Sequence, residues 1–197
     1  LLRRKITDRL EGIMLELKYV AQEDLRKLNS ALAQVNAGFR RVVLSKLTAF
    51  NEEIRKRINV EAGMNDFETL LLNLIREQIP LLYIEGYSGT QKTVLEENPT
   101  KPKAVFADID YFADEKFKLW IASRVEAGTM LLGTQHGGLY GMGLAYSDEE
   151  HEIAICDNYY TWGWKKAGLK KVKPMPSLKL NKARKIGKAD NSGRILL

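Results

Sequence analysis

Cysteine is all but missing from this 197-residue chain: Cys156 stands alone. No intrachain disulfide framework can form, and a reducing compartment, or a particle assembled in one, is implied. Five prolines and 15 glycines are too few for a collagen-like or Pro-rich chain. With two histidines beside the single cysteine, a tetrahedral N/S zinc site lacks ligands. No stretch approaches the roughly 18 consecutive apolar residues that span a bilayer. The longest candidate, 70–84, is broken by Asn73, Arg76, Glu77 and Pro80, so no membrane is expected among the partners. Leu1–Arg4 lacks the apolar core of a signal peptide, so no leader is expected there. Self-similarity at a period of roughly 20 to 50 residues is absent, which excludes a solenoid.

What is present is an ordinary globular composition, 45% hydrophobic and 28% charged, with a formal charge of +6. The charge is unevenly placed. Eleven basic residues fall between Lys165 and Arg194 against one acid, Asp190, while the rest of the chain carries 20 basic and 24 acidic residues. A tail so poor in carboxylates suits a polyanion, bound by phosphate neutralisation and counterion release. Its candidate contacts are Lys165, Lys166, Lys170, Lys171, Lys173, Lys179, Lys182, Arg184, Lys185 and Lys188. Without base-reading elements, double-stranded DNA would be bound independently of sequence.

Apolar residues at Ile6, Leu10, Ile13, Leu17 and Val20, then Leu25, Leu28, Leu32, Val35, Phe39 and Val42, follow heptad-like spacing. This predicts helices over 1–86, coiled-coil-like or bundled, whose stripe needs a partner protein or self-association to cover it. Ser88, Gly89, Asn98, Pro99 and Pro102 predict a linker over 87–103. A small α+β domain is expected over 104–166, with a strand at Ala104–Ile109, a helix from Asp114 to Gly128 and a turn at Ser147–His151 between two short strands. A basic extended tail follows over 167–197. The predicted fold class is therefore α+β, with a long-helix N-terminal half.

Three arrangements invite chemistry. Asp108 and Asp110, alternating on a predicted strand, share a face and could hold Mg²⁺, with Glu126 and His136 completing the site. That would make a metal-dependent nuclease or phosphoryl-transfer enzyme. Cys156 near His151 suggests a thiol nucleophile with its base, but the apolar Ile153–Ile155 before it favours an inert thiol. The glycines at 137, 138, 141 and 143 match no phosphate-loop spacing. No cofactor is expected, and a bland third possibility is a coiled-coil adaptor for an acidic protein partner.

Ile121-Ala122-Ser123-Arg124-Val125-Glu126 resembles the Ile-Ala-Arg-Thr-Glu signature of the phage head morphogenesis (minor head, Mu F-type) family. A small-residue segment, the apolar Leu144–Tyr146, His151 and Ile155-Cys156-Asp157 follow in the order of that family, so the resemblance covers about residues 115–164. The family's later His-Pro-x-Cys-x-Cys element has no equivalent; Lys173-Pro174-Met175-Pro176 stands roughly there. The resemblance implies a non-enzymatic virion component at the capsid interior or portal vertex, in contact with portal or other capsid proteins and with packaged DNA. It also implies structural roles for Arg124, Glu126, His151, Cys156 and Asp157. Outside that resemblance a cytoplasmic location is expected.

Overall fold

A computed structural model describes residues 12–33, 38–44, 48–58 and 65–180. Two compact units result. The first comprises Leu1–Gly38, Thr100–Asp114 and Arg124–Leu197; the second comprises Phe39–Pro99 and Glu115–Ser123.

The first unit is built on a five-stranded parallel sheet in sequential order: β1 (Ile13–Glu16), β2 (Ala104–Ala107), β3 (Met130–Thr134), β4 (Asn158–Thr161) and β5 (Val172–Pro174). Register follows from apolar matching. Leu15, Phe106 and Leu132 lie side by side, as do Met14, Val105 and Leu131. Alternation then assigns two faces. On one, Leu15 and Leu17 are buried with Val20 against Leu25 of helix α1 (Gln22–Ala31), and Phe106, Leu28 and Leu178 pack on that cluster. On the other lie Val105, Ala107, Gly133 and Tyr159. Tyr111 of the short helix α5 (Asp110–Ala113) and Cys156, just after helix α7 (Ser147–Ile155), come within contact range of Gly133 there. Each fully buried large side chain contributes roughly 1.5–3 kcal/mol. A side chain at 133 would have no room: its Cβ would fall 2.5 Å from Cys156 Sγ and 2.9 Å from Tyr159.

The second unit is helical among its described residues. It holds α2 (Glu52–Lys56), α3 (Asp66–Gln78), α4 (Tyr87–Glu97) and the first nine residues of α6 (Glu115–Glu126). Asn51 and Asn65 cap α2 and α3 by accepting from the backbone N–H groups of Ile54 and Glu68. Arg55 spends all five N–H donors: two on the Glu85 carboxylate and three on the carbonyls of Arg76, Glu77 and Ile79, which the end of α3 would otherwise leave unpaired. Phe39, Phe117 and Trp120 form an aromatic cluster, and Trp120 Nε1 donates to the Asn98 carbonyl at 3.0 Å.

The expected α+β class is corrected to α/β. Among the described residues the N-terminal apolar repeat does not form a long helix, because Ile13 and Leu15 are recruited into a sheet whose partner strand lies far along the chain; Ile6, Leu10 and Val35 lie outside the described residues. Two loops are also revised: Tyr87–Glu97 is helix where a linker was expected, and Ser147–Ile155 is one helix where a turn and a strand were expected. The strand at Ala104–Ala107 and the helix ending before Gly128, whose φ of 97° is the left-handed form glycine favours at a helix end, are where the sequence placed them. Among the described residues, no helix is long and apolar enough to cross a membrane.

Candidate active site

An open parallel sheet presents ligand sites beyond the carboxyl ends of its strands, where backbone amides and loop side chains converge. In the first unit that edge gathers Glu16 at the end of β1 and Lys18 after it, Asp108 and Asp110 after β2, and Gln135 and His136 after β3.

Asp108 joins the first two loops. It accepts from the backbone N–H of Lys18 at 3.0 Å and of Tyr19 at 2.9 Å. Burial raises its carboxyl above the ordinary range, although those two amides pull the other way. The Lys18 ammonium lies 3.0 Å from Asp110 and 3.3 Å from Glu16. Burial lowers that amine, but the Asp110 hydrogen bond and both carboxylate charges outweigh it and leave it raised.

The second group centres on Glu152 of α7, whose side chain has no solvent exposure. Oε2 accepts from Tyr159 at 2.7 Å and from Tyr111 at 3.4 Å. Oε1 lies 2.8 Å from the Tyr140 hydroxyl and 3.0 Å from His136 Nε2. Four donors therefore meet the four lone-pair sites of one carboxylate. Burial, followed by the Glu152 charge, pushes the hydroxyls of Tyr140 and Tyr159 well up, so they remain donors. Tyr140 has a single O–H, and it donates that hydrogen bond to the carboxylate. The Tyr140 oxygen, 2.7 Å from His136 Nε2, then faces that nitrogen as an acceptor. Both neighbours of Nε2 accept, so the proton of neutral His136 belongs on Nε2 and the lone pair on Nδ1. Tyr19 stacks on the imidazole with ring centroids 5.9 Å apart, fixing its plane.

Supporting contacts hold the loop between β3 and α7. Gln135 Oε1 accepts from Trp162 N and Trp164 Nε1, and its amide donates to the Gly137 carbonyl. Glu149 accepts from the Gly141 amide and from Lys166 Nζ. Gly141, at φ 76°, lies against the Trp164 ring, which leaves no space for a Cβ.

Of the residues singled out from sequence, Asp108, Asp110 and His136 share the carboxyl edge of the sheet, and the others lie elsewhere. Asp108 and Asp110 stand beyond the strand rather than alternating on it, and their oxygens are held by amides and Lys18. Among the described residues no group of three or more His, Cys, Asp or Glu side chains could hold a metal ion. Glu126 is exposed at the end of α6, and His136 is tied to Glu152. His151 is exposed. Burial and the Glu152 charge push the Cys156 thiol up to about 12, which makes it inert. Arg124 is buried at the end of α6, and Asp157 accepts from the Leu131 amide at 2.8 Å, tying α7 to β3. Lys166 pairs with Glu149, Lys171 donates to the carbonyls of Ala154 and Cys156, and Lys179 sits over the Tyr19 ring. Lys165, Lys170 and Lys173 are exposed; Lys182, Arg184, Lys185 and Lys188 lie outside the described residues.

Sequence reasoning missed Lys18, Gln135, Tyr140, Glu149 and Glu152. One signal was available: Glu152 immediately precedes the apolar Ile153-Ala154-Ile155, and a carboxylate inside an apolar helical face needs donors from elsewhere.

A family model described as LIC12162 family transferase matches residues 2–197. No curated protein and no solved structure matches the chain significantly. The family match runs almost end to end, whereas the phage head morphogenesis resemblance rested on a short segment, and it overturns that resemblance. With it go the non-enzymatic role, the virion location and the portal-associated function; an enzymatic group transfer takes their place. The chain belongs to the LIC12162 family of transferases.

Proposed function

We propose that group transfer takes place at the carboxyl edge of the sheet, with His136 as the general base. The observation that carries this is the set of bonds around Glu152. They put the imidazole proton on Nε2 and leave Nδ1, which makes no hydrogen bond among the described residues, to accept a proton. An acceptor hydroxyl gives its proton to Nδ1 as its oxygen attacks the donor's electrophilic centre and the leaving group departs. The imidazolium formed in that step is stabilised by the buried Glu152 carboxylate at 3.0 Å. Tyr140 and Tyr159 keep that carboxylate in place, and Tyr19 keeps the ring from swinging. Glu16, Asp108 and Asp110 make the same edge acidic apart from Lys18, which favours a neutral, hydroxyl-rich acceptor over an anionic one.

The test is a panel of activated donors of different classes (nucleotide-linked sugars, acyl thioesters and a sulfonium methyl donor), each with a polyhydroxylated acceptor. Release of the donor's leaving group is followed for wild type and His136→Gln. Whichever donor is turned over, the variant should lose roughly 10²–10⁴-fold in rate. Turnover at the wild-type rate in His136→Gln would remove His136 from the chemistry.

A further inference from the structure

The parallel ladder between β1 and β2 ends at Glu16 and Ala107, with one further bond from the Asp108 N–H to the Glu16 carbonyl at 3.2 Å. Past that point the chain leaving β1 turns, and the Asp108 side chain takes over from the backbone. Its Oδ1 accepts from the Lys18 N–H at 3.0 Å and its Oδ2 from the Tyr19 N–H at 2.9 Å. Each oxygen holds one amide, so a single buried carboxylate fixes two successive peptides of one loop. That loop carries Tyr19, whose ring lies 5.9 Å from the His136 imidazole and within 8° of parallel to it. Tyr19 is 41% exposed, so burial does not set where its ring sits. We propose that Asp108 is a positioning residue for the transfer: by clamping the Tyr19 amide it holds the ring against His136 and keeps Nδ1 turned toward the acceptor. This rests on His136 as the base.

A purely structural role for Asp108 is the competing account. Leu17 and Val20, on either side of Lys18 and Tyr19, are buried in the cluster with Leu15 and Leu25 and tie the loop to the sheet. They fix the path of the chain. They leave open the orientation of the peptides between them, and it is there that both N–H groups meet Asp108. An Asn side chain has one acceptor oxygen and an NH₂ group. Asp108→Asn therefore serves one amide and confronts the other with a donor. Coupling follows: once the Tyr19 ring is removed, Asp108 has nothing left to hold for the reaction.

Two measurements test this, one of them without substrate. An aromatic ring stacked on an imidazole shifts its carbon-bound protons upfield. In a His151→Gln background those protons of His136 are observed alone, and Tyr19→Leu gives their unstacked position. Asp108→Asn should move them most of the way toward it. In transfer assays with whichever donor is turned over, Asp108→Asn should lower kcat about tenfold while the KM values stay within about threefold. The double variant Asp108→Asn/Tyr19→Leu should be no slower than Tyr19→Leu alone. Far-UV circular dichroism shows whether each variant is folded; should Asp108→Asn fail to fold, Asp108→Ser, whose smaller side chain enters the same space with one hydroxyl acceptor, is read in the same way. His136 signals that do not move in the folded variant, or rate losses that simply add in the double variant, would overturn the proposal. Wild-type turnover in His136→Gln would instead remove the base, while the His136 signals would still show whether Asp108 holds the ring.

Discussion

His136 Nε2 and Glu152 Oε1 lie 3.0 Å apart, and the Glu152 side chain has no exposure to solvent. The carboxylate that orients the imidazole is thus itself locked by three tyrosine hydroxyls. Replacing Glu152 by Gln turns one acceptor into an NH₂ that confronts donors. Glu152→Gln should lose about 1–3 kcal/mol of stability in urea unfolding. Its rate of transfer should also fall while its apparent affinity for the donor stays within about threefold, since the change acts on the base rather than on binding.

Gly133 is a packing requirement. A Cβ there meets Cys156 Sγ and the Tyr159 ring, and Tyr159 is one of the donors to Glu152. Gly133→Ala should cost about 1–3 kcal/mol in thermal or denaturant unfolding. A variant as stable as wild type would mean that the sheet and α7 are not packed this closely.

Cys156 should not react. Its thiol is buried and held at about 12, so at neutral pH the thiolate is scarce and shielded. A thiol-specific chromogenic reagent should label native protein far more slowly than protein in denaturant, where one equivalent should react. Fast labelling of the native chain would count against the burial.

The Arg55–Glu85 pair gives a pH signature. The Arg55 hydrogen bonds hold the Glu85 carboxyl at about 2, against an ordinary value of 4.5. A depressed folded-state value means the pair's stabilisation is fully present above pH 4.5 and is lost as pH falls toward 2. The stability difference between wild type and Arg55→Gln, measured by chemical unfolding at several pH values, should therefore be largest near neutrality and shrink through that window. A difference that stays constant down to pH 2 would contradict the pairing.

How much of this was legible in the sequence depended on whether the deciding contacts were local. The β2 strand, the α6 helix and its glycine end are written in short-range signals: an apolar run, a helical period, and Gly128 after the last turn. The N-terminal region misled because Ile13, Leu17 and Val20 satisfy a helical stripe as well as a strand with a buried turn. Pairing of Ile13–Glu16 with Ala104–Ala107 decided between them, and no local pattern encodes it. The site was half visible. Asp108, Asp110 and His136 were singled out for metal chemistry, but their actual partners, Lys18, the Lys18 and Tyr19 amides, Tyr140 and Glu152, are assembled by strand order. The electrostatic asymmetry of the tail was real as a count, yet Lys166, Lys171 and Lys179 are committed to contacts within the chain.

The tautomer of His136 offers the most direct test. Of the chain's two histidines, His151 can be removed by His151→Gln. Nitrogen-15 shifts and two-bond couplings of the remaining ring then identify the protonated nitrogen at mildly alkaline pH, without any substrate. The network around Glu152 predicts the Nε2–H form with an unprotonated Nδ1; a ring found in the Nδ1–H form would contradict His136 as the base.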